Sequence, residues 1–336
     1  MDTVMQVSNL TVAFPGTVAV RGIDLSIQAG EMLALVGESG SGKSATALAL
    51  MRLLPATAFV ESGHVLFEGK DLMRQPAAAL RRLRGKHISM IFQEPMTSLN
   101  PVLSIGTQIS EVLRQHESLS RKQARERSIA LLDLVRIPDP ARRYEEFPHN
   151  LSGGMRQRVM IAMAVACNPR LLIADEPTTA LDVTIQAQVL ELLDRLRRQL
   201  SMAVLLITHD LGVVAQWADR VAVMYAGRIV EQATAANLFQ GGGPRHPYTR
   251  GLLDSTISLD AGKHYRNARL HEIPGNIADA AGESGCAFAP RCPQAGPGCL
   301  LRSPPLESIG TNHYAACIAP IQPYPNHGDD NALALG

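Results

Sequence analysis

An α/β fold is what this sequence predicts, from three observations. Short apolar runs of strand length, Met32–Val36, Leu171–Ala174 and Ala203–Ile207, alternate with stretches of helix-forming residues. The first run opens into a glycine-rich loop, Gly37-Glu38-Ser39-Gly40-Ser41-Gly42-Lys43-Ser44, which leads directly into the helix formers Ala45–Met51. The other two runs end in ionisable residues, Asp175-Glu176 and His209-Asp210. In open α/β sheets ligands bind beyond the carboxyl ends of the strands, so all three groups are expected on one rim.

The glycine-rich loop satisfies every fixed position of G-x-x-x-x-G-K-[ST] and has the strand and the helix that a phosphate-binding loop needs on either side. Gly37, Gly40 and Gly42 permit the tight turn. The N–H groups around Ser39 then point inward, and the helix that follows adds its positive end. Lys43 is placed to reach the β- and γ-phosphates and Ser44 to hold Mg²⁺. A plain Gly/Ser connector is the bland reading, and the match at all fixed positions and both flanks argues against it. A nucleoside triphosphate, ATP in the reading below, is the implied ligand.

Upstream, residues 4–14 and Ala19–Ile27 alternate in the manner of strands up to a turn at Ala29-Gly30, which predicts a β-rich subdomain before the loop. Phe14 stands on the N-terminal side of the phosphate site, either to stack on a base or as a half-buried strand residue. Downstream, His64–Phe67 and Ile88–Phe92 read as strands, the second ending at Gln93. The arginines between them (Arg74, Arg81, Arg82, Arg84) and Lys86 read as a solvated face. Ile105, Ile109, Val112 and Leu113 share one helical face, and Ala130, Leu131, Leu134 and Val135 another, so a helical insertion over about 95–160 is expected. Leu151-Ser152-Gly153-Gly154-Met155 is a turn that opens a helix through Arg158, Ile161 and Val165. At the end of the Leu171 run, side chains alternate between faces, so Asp175 and Glu176 can take different tasks: Asp175 in a Mg²⁺ shell, Glu176 on a water molecule. A long amphipathic helix follows through Ile185, Val189, Leu192, Leu193, Leu196 and Leu200. Val221–Tyr225 and Arg228–Glu231 read as a hairpin over Ala226-Gly227.

Composition excludes several classes. At 336 residues the chain is long enough for two domains, by the usual prior of about 150 residues each. Its net charge of +1 offers no electrostatic footprint for nucleic acid. The longest apolar run, Val159–Cys167, is far short of the roughly 20 residues that span a bilayer. The first residues lack a basic and apolar leader, so a cytoplasmic protein is expected.

Taken together these residues resemble the ATP-binding cassette of ABC transporters over about residues 4–240. The resemblance implies a P-loop NTPase core of RecA-like type with an N-terminal antiparallel β subdomain and an inserted helical subdomain. Gly37–Ser44 is similar to the family's Walker A loop, Gln93 to its Q-loop, Leu151-Ser152-Gly153-Gly154 to its signature, and Leu171–Asp175 to Walker B with Glu176 as catalytic base. Ala180-Leu181-Asp182 is similar to the D-loop, His209 to the switch histidine and Phe14 to the adenine-stacking aromatic. By that likeness the catalytic group is Glu176, His209 and Gln93. ATP meets Phe14, Gly37, Ser39, Gly40, Gly42, Lys43 and Ser44 of one chain and Ser152, Gly153, Gly154 and Asp182 at the facing signature, and Mg²⁺ meets Ser44, Gln93 and Asp175. Met155 departs from the Gln or Glu that many members carry there and matches the peptide-importer branch.

Glu94-Pro95-Met96-Thr97-Ser98-Leu99-Asn100-Pro101, the stretch Asp175–Gln188, Arg245-His246-Pro247-Tyr248-Thr249 and Ile273-Pro274-Gly275 resemble the dipeptide, oligopeptide and nickel importer ATPases. The resemblance implies an ATP-hydrolysing subunit that powers import of di- or oligopeptides at the cytoplasmic face of the cell membrane. Its implied partners are a second cassette, identical or paralogous, two transmembrane permeases and, indirectly, an external binding protein. A nickel or other small-solute importer is the alternative within the family. A soluble ABC ATPase acting on nucleic acid or ribosomes is the alternative outside it, although this chain has one cassette and no sustained heptads; a P-loop kinase would have no use for the Ser152-Gly153-Gly154 turn. Residues 241–336 form the expected small, irregular extension. Four of the five cysteines, Cys286, Cys292, Cys299 and Cys317, crowd there, with gaps that match neither the usual structural zinc pairs nor common ferredoxin spacings. Thiolates suit either zinc or an iron–sulfur cluster, the wide gaps favour [4Fe-4S], and four unligated thiols remain the third reading.

Overall fold

A computed structural model describes residues 2–93, 98–179, 181–255, 273–277 and 284–322. The expected permease-facing residues Glu94, Pro95, Met96 and Thr97, and Ala180 of the D-loop, lie outside the described residues.

The chain begins with β1 (Thr3–Phe14) and β2 (Thr17–Gln28), antiparallel across a Pro15-Gly16 turn in which Gly16 takes φ 78°. β3 (Met32–Val36) then enters a second sheet, and α1 (Lys43–Leu50) follows it. β4 (Phe59–Phe67) and β5 (Lys70–Asp71) return to the first sheet, whose order is β2-β1-β4-β5. After α2 (Ala77–Leu83), β6 (Ile88–Ile91) joins the second sheet. Arg84, expected on a solvated face, instead donates to the carbonyls of Met51 and Arg52 and closes the end of α1.

The helical insertion contains α3 (Ile105–Glu117), α4 (Arg121–Leu134) and α5 (Pro140–Glu145), and packs on α6 (Gly153–Val165). Ser104 caps α3, and Ser120 with Gln123 forms a reciprocal capping box on α4, so both starts were written locally. Ile105, Ile109 and Leu113 are buried as their spacing predicts.

β7 (Leu171–Asp175), α7 (Val183–Leu200), β8 (Ala203–Thr208), α8 (Leu211–Trp217), β9 (Arg220–Tyr225) and β10 (Arg228–Thr234) complete the core. Five strands, in the order β9-β3-β8-β7-β6, run parallel. Both faces of this sheet are covered. On β7, Leu172 and Ala174 pack with the helical side, while Leu171 and Ile173 pack with α1 and the β subdomain. Each such fully buried Leu or Ile contributes about 1.5–3 kcal/mol relative to an exposed one.

After α9 (Ala235–Phe239) the extension contributes α10 (Pro247–Ser255), α11 (Pro297–Leu301), β11 (Glu307–Gly310) and β12 (His313–Ala315). Its elements are short, as its prolines predict, but β12 pairs with β10 and lengthens the main sheet. Glu231 of β10 is fully buried and explains the attachment: it accepts the N–H groups of Arg245 (2.7 Å) and His246 (3.0 Å) and meets His313 Nε2 at 2.7 Å. Burial pushes His246 down to about 4, so its ring is neutral. The extension also shares a core with the cassette, where Val36, Tyr225, Tyr248 and Phe288 are all buried.

Candidate active site

The parallel strands β3, β8, β7 and β6 are neighbours, and their carboxyl ends carry the phosphate loop, His209, Asp175-Glu176 and Gln93 in that order across the rim. Pairing of Val36 with Thr208 and of Asp175 with Ile207 brings three of the ends into line.

The loop's glycines are required by close approaches. Gly37 has φ 152°, and a Cβ there would lie 2.2 Å from the carbonyl oxygen of Met224. At Gly42, with φ 109°, a Cβ would lie 2.5 Å from that of Ala19. Ala19 belongs to β2, and Gly227 N donates to Ser41 O at 2.8 Å while Gly227 O accepts from Arg21 N at 2.8 Å, so the β subdomain and the β9–β10 turn buttress the loop. Phe14, half-buried at the end of β1, lies in that subdomain.

Lys43 is 5% exposed, and its Nζ donates to Gly37 O (2.7 Å) and Glu38 O (2.8 Å) of its own loop. Burial holds its pKa below the ordinary lysine value, partly offset by Glu176, Asp175 and Glu38. Ser44 Oγ donates to Asp175 Oδ1 at 3.2 Å. Asp175 is 4% exposed, and burial raises its carboxyl above the usual range, with Ser44 acting in the opposite sense. A buried carboxylate raised by desolvation beside a hydroxyl is a donor set that fits a hard cation.

Glu176 differs from its neighbour as the alternation predicts. It is half-buried, has φ 46°, and its carboxylate accepts Gln93 Nε2 (3.0 Å) and Thr179 Oγ1 (3.0 Å). His209 Nδ1 lies 3.5 Å from its other oxygen, on a ring that is largely exposed. A non-glycine residue held in the left-handed region at a strand end stores backbone strain there. Thr179 lies within the Asp175–Gln188 stretch, but the sequence assigns it no role of its own.

The signature lies at the start of α6. Ser152 caps α6, accepting from Met155 N, and Ser152 and Gly153 are exposed. A Cβ on Gly154 would lie 2.9 Å from Ile185 Cγ2, so this glycine is needed for packing on α7. Asp182 caps α7, accepting from Ile185 N at 2.9 Å. Among the described residues none of Ser152, Gly153, Gly154 or Asp182 hydrogen-bonds the phosphate loop. A groove of about 290 Å³ lies between core and helical subdomain, lined in part by Met90, Phe92, Ser98, Val112 and Met160.

Cys286, Cys292, Cys299 and Cys317 line one small cavity with Phe288 and His246, and all are free thiols. Burial raises the pKa of Cys317 to about 11 and holds those of Cys286 and Cys292 above the ordinary thiol value. Among the described residues no group of three or more His, Cys, Asp or Glu is arranged to hold a metal ion, so the arrangement does not support the expected [4Fe-4S] cluster and no catalytic step runs through it.

The ABC transporter family pattern matches residues 20–179, and that of the oligopeptide/dipeptide transporter C-terminal region matches residues 230–299. The chain is 50% identical to the oligopeptide transport ATP-binding protein OppD of Bacillus subtilis, over 92% of this chain and 87% of that one. It is 52% identical to the dipeptide transport ATP-binding protein DppD of the same organism, over 87% and 88%. To OppD of Salmonella typhimurium it is 46% identical, over 96% and 95%. In structure it is similar to a dimeric ATP-binding cassette in a post-hydrolysis state bound to ADP and phosphate, with TM-score 0.62 and 26% identity over 69% of this chain and 98% of that one. It is also similar to cbiO1 of Clostridium perfringens, part of an ABC transporter complex, with TM-score 0.62 and 28% identity over 71% and 91%.

Proposed function

The chain belongs to the ABC transporter family of ATP-hydrolysing subunits, and from that membership we propose that it powers import of di- or oligopeptides across the cytoplasmic membrane as one of two paired cassettes. The observation that carries the paired reading is the half-site. The phosphate loop, Asp175, Glu176, Gln93 and His209 share one rim, while Ser152 and Gly153 are exposed and, among the described residues, make no hydrogen bond to it. A second cassette, identical or paralogous, supplies the facing signature, whose N–H groups meet γ-phosphate oxygens only when the pair closes. The C-terminal region matched at residues 230–299 and the peptide-transport relatives support peptides as cargo.

In this reading Phe14 stacks on the adenine ring. The loop N–H groups from Ser39 to Ser44 and Lys43 Nζ hold the phosphates, Lys43 exchanging two backbone carbonyls for phosphate oxygens. Ser44 Oγ, Asp175 and the amide oxygen of Gln93 would hold Mg²⁺, which when bound would neutralise the developing phosphate charge. Glu176 orients the attacking water and takes its proton, with Thr179 and Gln93 fixing the carboxylate. His209, close to Glu176, stands where the γ-phosphate would be sensed. Gln93 also lies in sequence between Phe92 and Ser98, both of which line the groove. We assign this groove to a permease subunit, so that nucleotide state and permease position move together. Among the described residues no helix is long and apolar enough to cross a membrane, which suits a peripheral subunit at the cytoplasmic face, reaching the external binding protein only through the permeases.

The test is to reconstitute the chain with its permeases and partner cassette in vesicles. ATP hydrolysis and uptake of labelled peptide are expected to appear together and to be lost when the second cassette is omitted. Full hydrolysis by a demonstrably monomeric chain overturns the paired site, and hydrolysis coupled to nickel rather than peptide overturns the cargo.

The four cysteines line one cavity as free thiols and are not arranged as a metal site among the described residues. Anaerobic purification is expected to yield four titratable thiols without metal. Iron and sulfide in the proportions of a [4Fe-4S] cluster, or stoichiometric zinc, would instead establish a thiolate metal site.

A further inference from the structure

Glu38, the second residue of the phosphate loop, is gripped by the C-terminal extension at both its side chain and its backbone. Arg291 lies in a single 3₁₀ turn, Ala289–Arg291, and its side chain is only 4% exposed. Its guanidinium donates to both carboxylate oxygens of Glu38, at 2.8 and 3.1 Å, a bidentate fork. Its Nε donates to Pro274 O at 2.6 Å, and it lies over the Tyr225 ring at 5.7 Å. Glu38 keeps the guanidinium charged despite its burial, holding its pKa above the ordinary arginine value. Tyr248, fully buried in the extension, accepts the Glu38 N–H at 2.9 Å. Tyr225, Tyr248 and Phe288 pack with ring centroids 4.6–5.3 Å apart, so the gripping surface is rigid.

The remaining polar group of Glu38, its carbonyl oxygen, accepts Lys43 Nζ. One loop residue is therefore tied to the extension by its side chain and N–H, and to the phosphate-binding lysine by its C=O. The hydrogen bonds of Arg291 and of the Tyr248 hydroxyl are made with Glu38, Tyr225, Ile273 and Pro274, and not with Asp175, Glu176, Gln93 or His209. Phosphate binding requires the loop N–H groups to converge, and the conformation of Glu38 sets the first of them.

We propose that the C-terminal extension positions the phosphate loop through the Arg291–Glu38 fork, so that docking of the extension and binding of MgATP are thermodynamically coupled. Arg291 is a positioning residue: it acts through Glu38 rather than on nucleotide. Coupling of this kind is reciprocal, so MgATP in turn stabilises the docked extension. The inference rests on the loop binding ATP and is independent of the peptide cargo.

The test measures MgATP affinity of the full chain by calorimetry, with thermal stability measured alongside, for R291A, E38Q and the double variant. Each single change is expected to raise Kd about tenfold, with the double variant no weaker than the weaker single, because both remove one interaction. In the reconstituted complex KM for ATP rises with kcat retained, and MgATP no longer protects the extension from proteolysis. A folded R291A with unchanged Kd overturns the proposal, even if its melting temperature falls, since that is the signature of a purely structural staple. Additive losses in the double variant also overturn it. Should R291A fail to fold, E38Q decides, because Glu38 is partly exposed and the amide has the same shape: an unchanged Kd there overturns the coupling equally. Lost peptide uptake with normal ATP affinity would count against the transport reading alone.

Discussion

Glu176→Gln is expected to retain ATP binding and to lose turnover by about 10²–10⁴-fold, the usual contribution of a positioned general base. The prediction follows from the division of labour at the end of β7. Asp175 is the buried carboxylate that accepts from Ser44, whereas Glu176 is held at one oxygen by Gln93 and Thr179, with His209 3.5 Å from the other. Glutamine has the same shape, tolerates the same φ of 46° no worse than glutamate, and can keep a hydrogen bond to Thr179. What it loses is the negative charge and the capacity to take a proton from water. Because the nucleotide-holding groups are untouched, the variant accumulates as the ATP-bound, closed pair. Phosphate release and nucleotide occupancy, measured in the partner-containing complex, check this, and wild-type turnover would remove Glu176 from the role of base.

Lys43→Ala is expected to weaken ATP binding by about a hundredfold or more, since two hydrogen bonds from a charged donor to phosphate are each worth about 1.5–3 kcal/mol. Lys43 is also the loop's own brace, through the carbonyls of Gly37 and Glu38. Alanine therefore removes both the point charge aimed at phosphate and the bonds that shape the empty loop, so its effect exceeds that of the Arg291 variant, which leaves the cation in place. Calorimetric titration with MgATP, with a thermal melt to show that the fold persists, provides the measurement. Affinity equal to the parent chain refutes the role assigned to Lys43.

The residues of the rim were legible because their chemistry is local. A P-loop is one contiguous segment with obligatory glycines, and an apolar strand of five residues announces where its last side chains emerge. The structure shows Ser152 and Asp182 as the N-caps of their helices, a role that spacing does not distinguish from a ligand-binding one. Thr179 was not legible. Its contact with Glu176 depends on the turn that follows β7, and a threonine in a turn carries no signal of its own. Arg84 was misread as solvated because an arginine that closes a helix end by donating to two carbonyls has the same sequence signature as one that faces water.

By itself the sequence determined the α/β class, the helical insertion, and the placement of the phosphate loop, His209, Asp175-Glu176 and Gln93 at neighbouring strand ends, since each follows from periodicity, capping or a contiguous motif within one or two elements. Only the tertiary structure decided that the C-terminal extension is part of the cassette. Its β12 lengthens the main sheet, Glu231 is satisfied by Arg245, His246 and His313, and Arg291 grips Glu38 from 253 positions away in the chain. The physical reason is that an ion pair or a buried carboxylate leaves no periodicity behind it. Which Arg finds which Glu is settled by the packing that removes both from water, and that packing exists only once the sheet has closed over them.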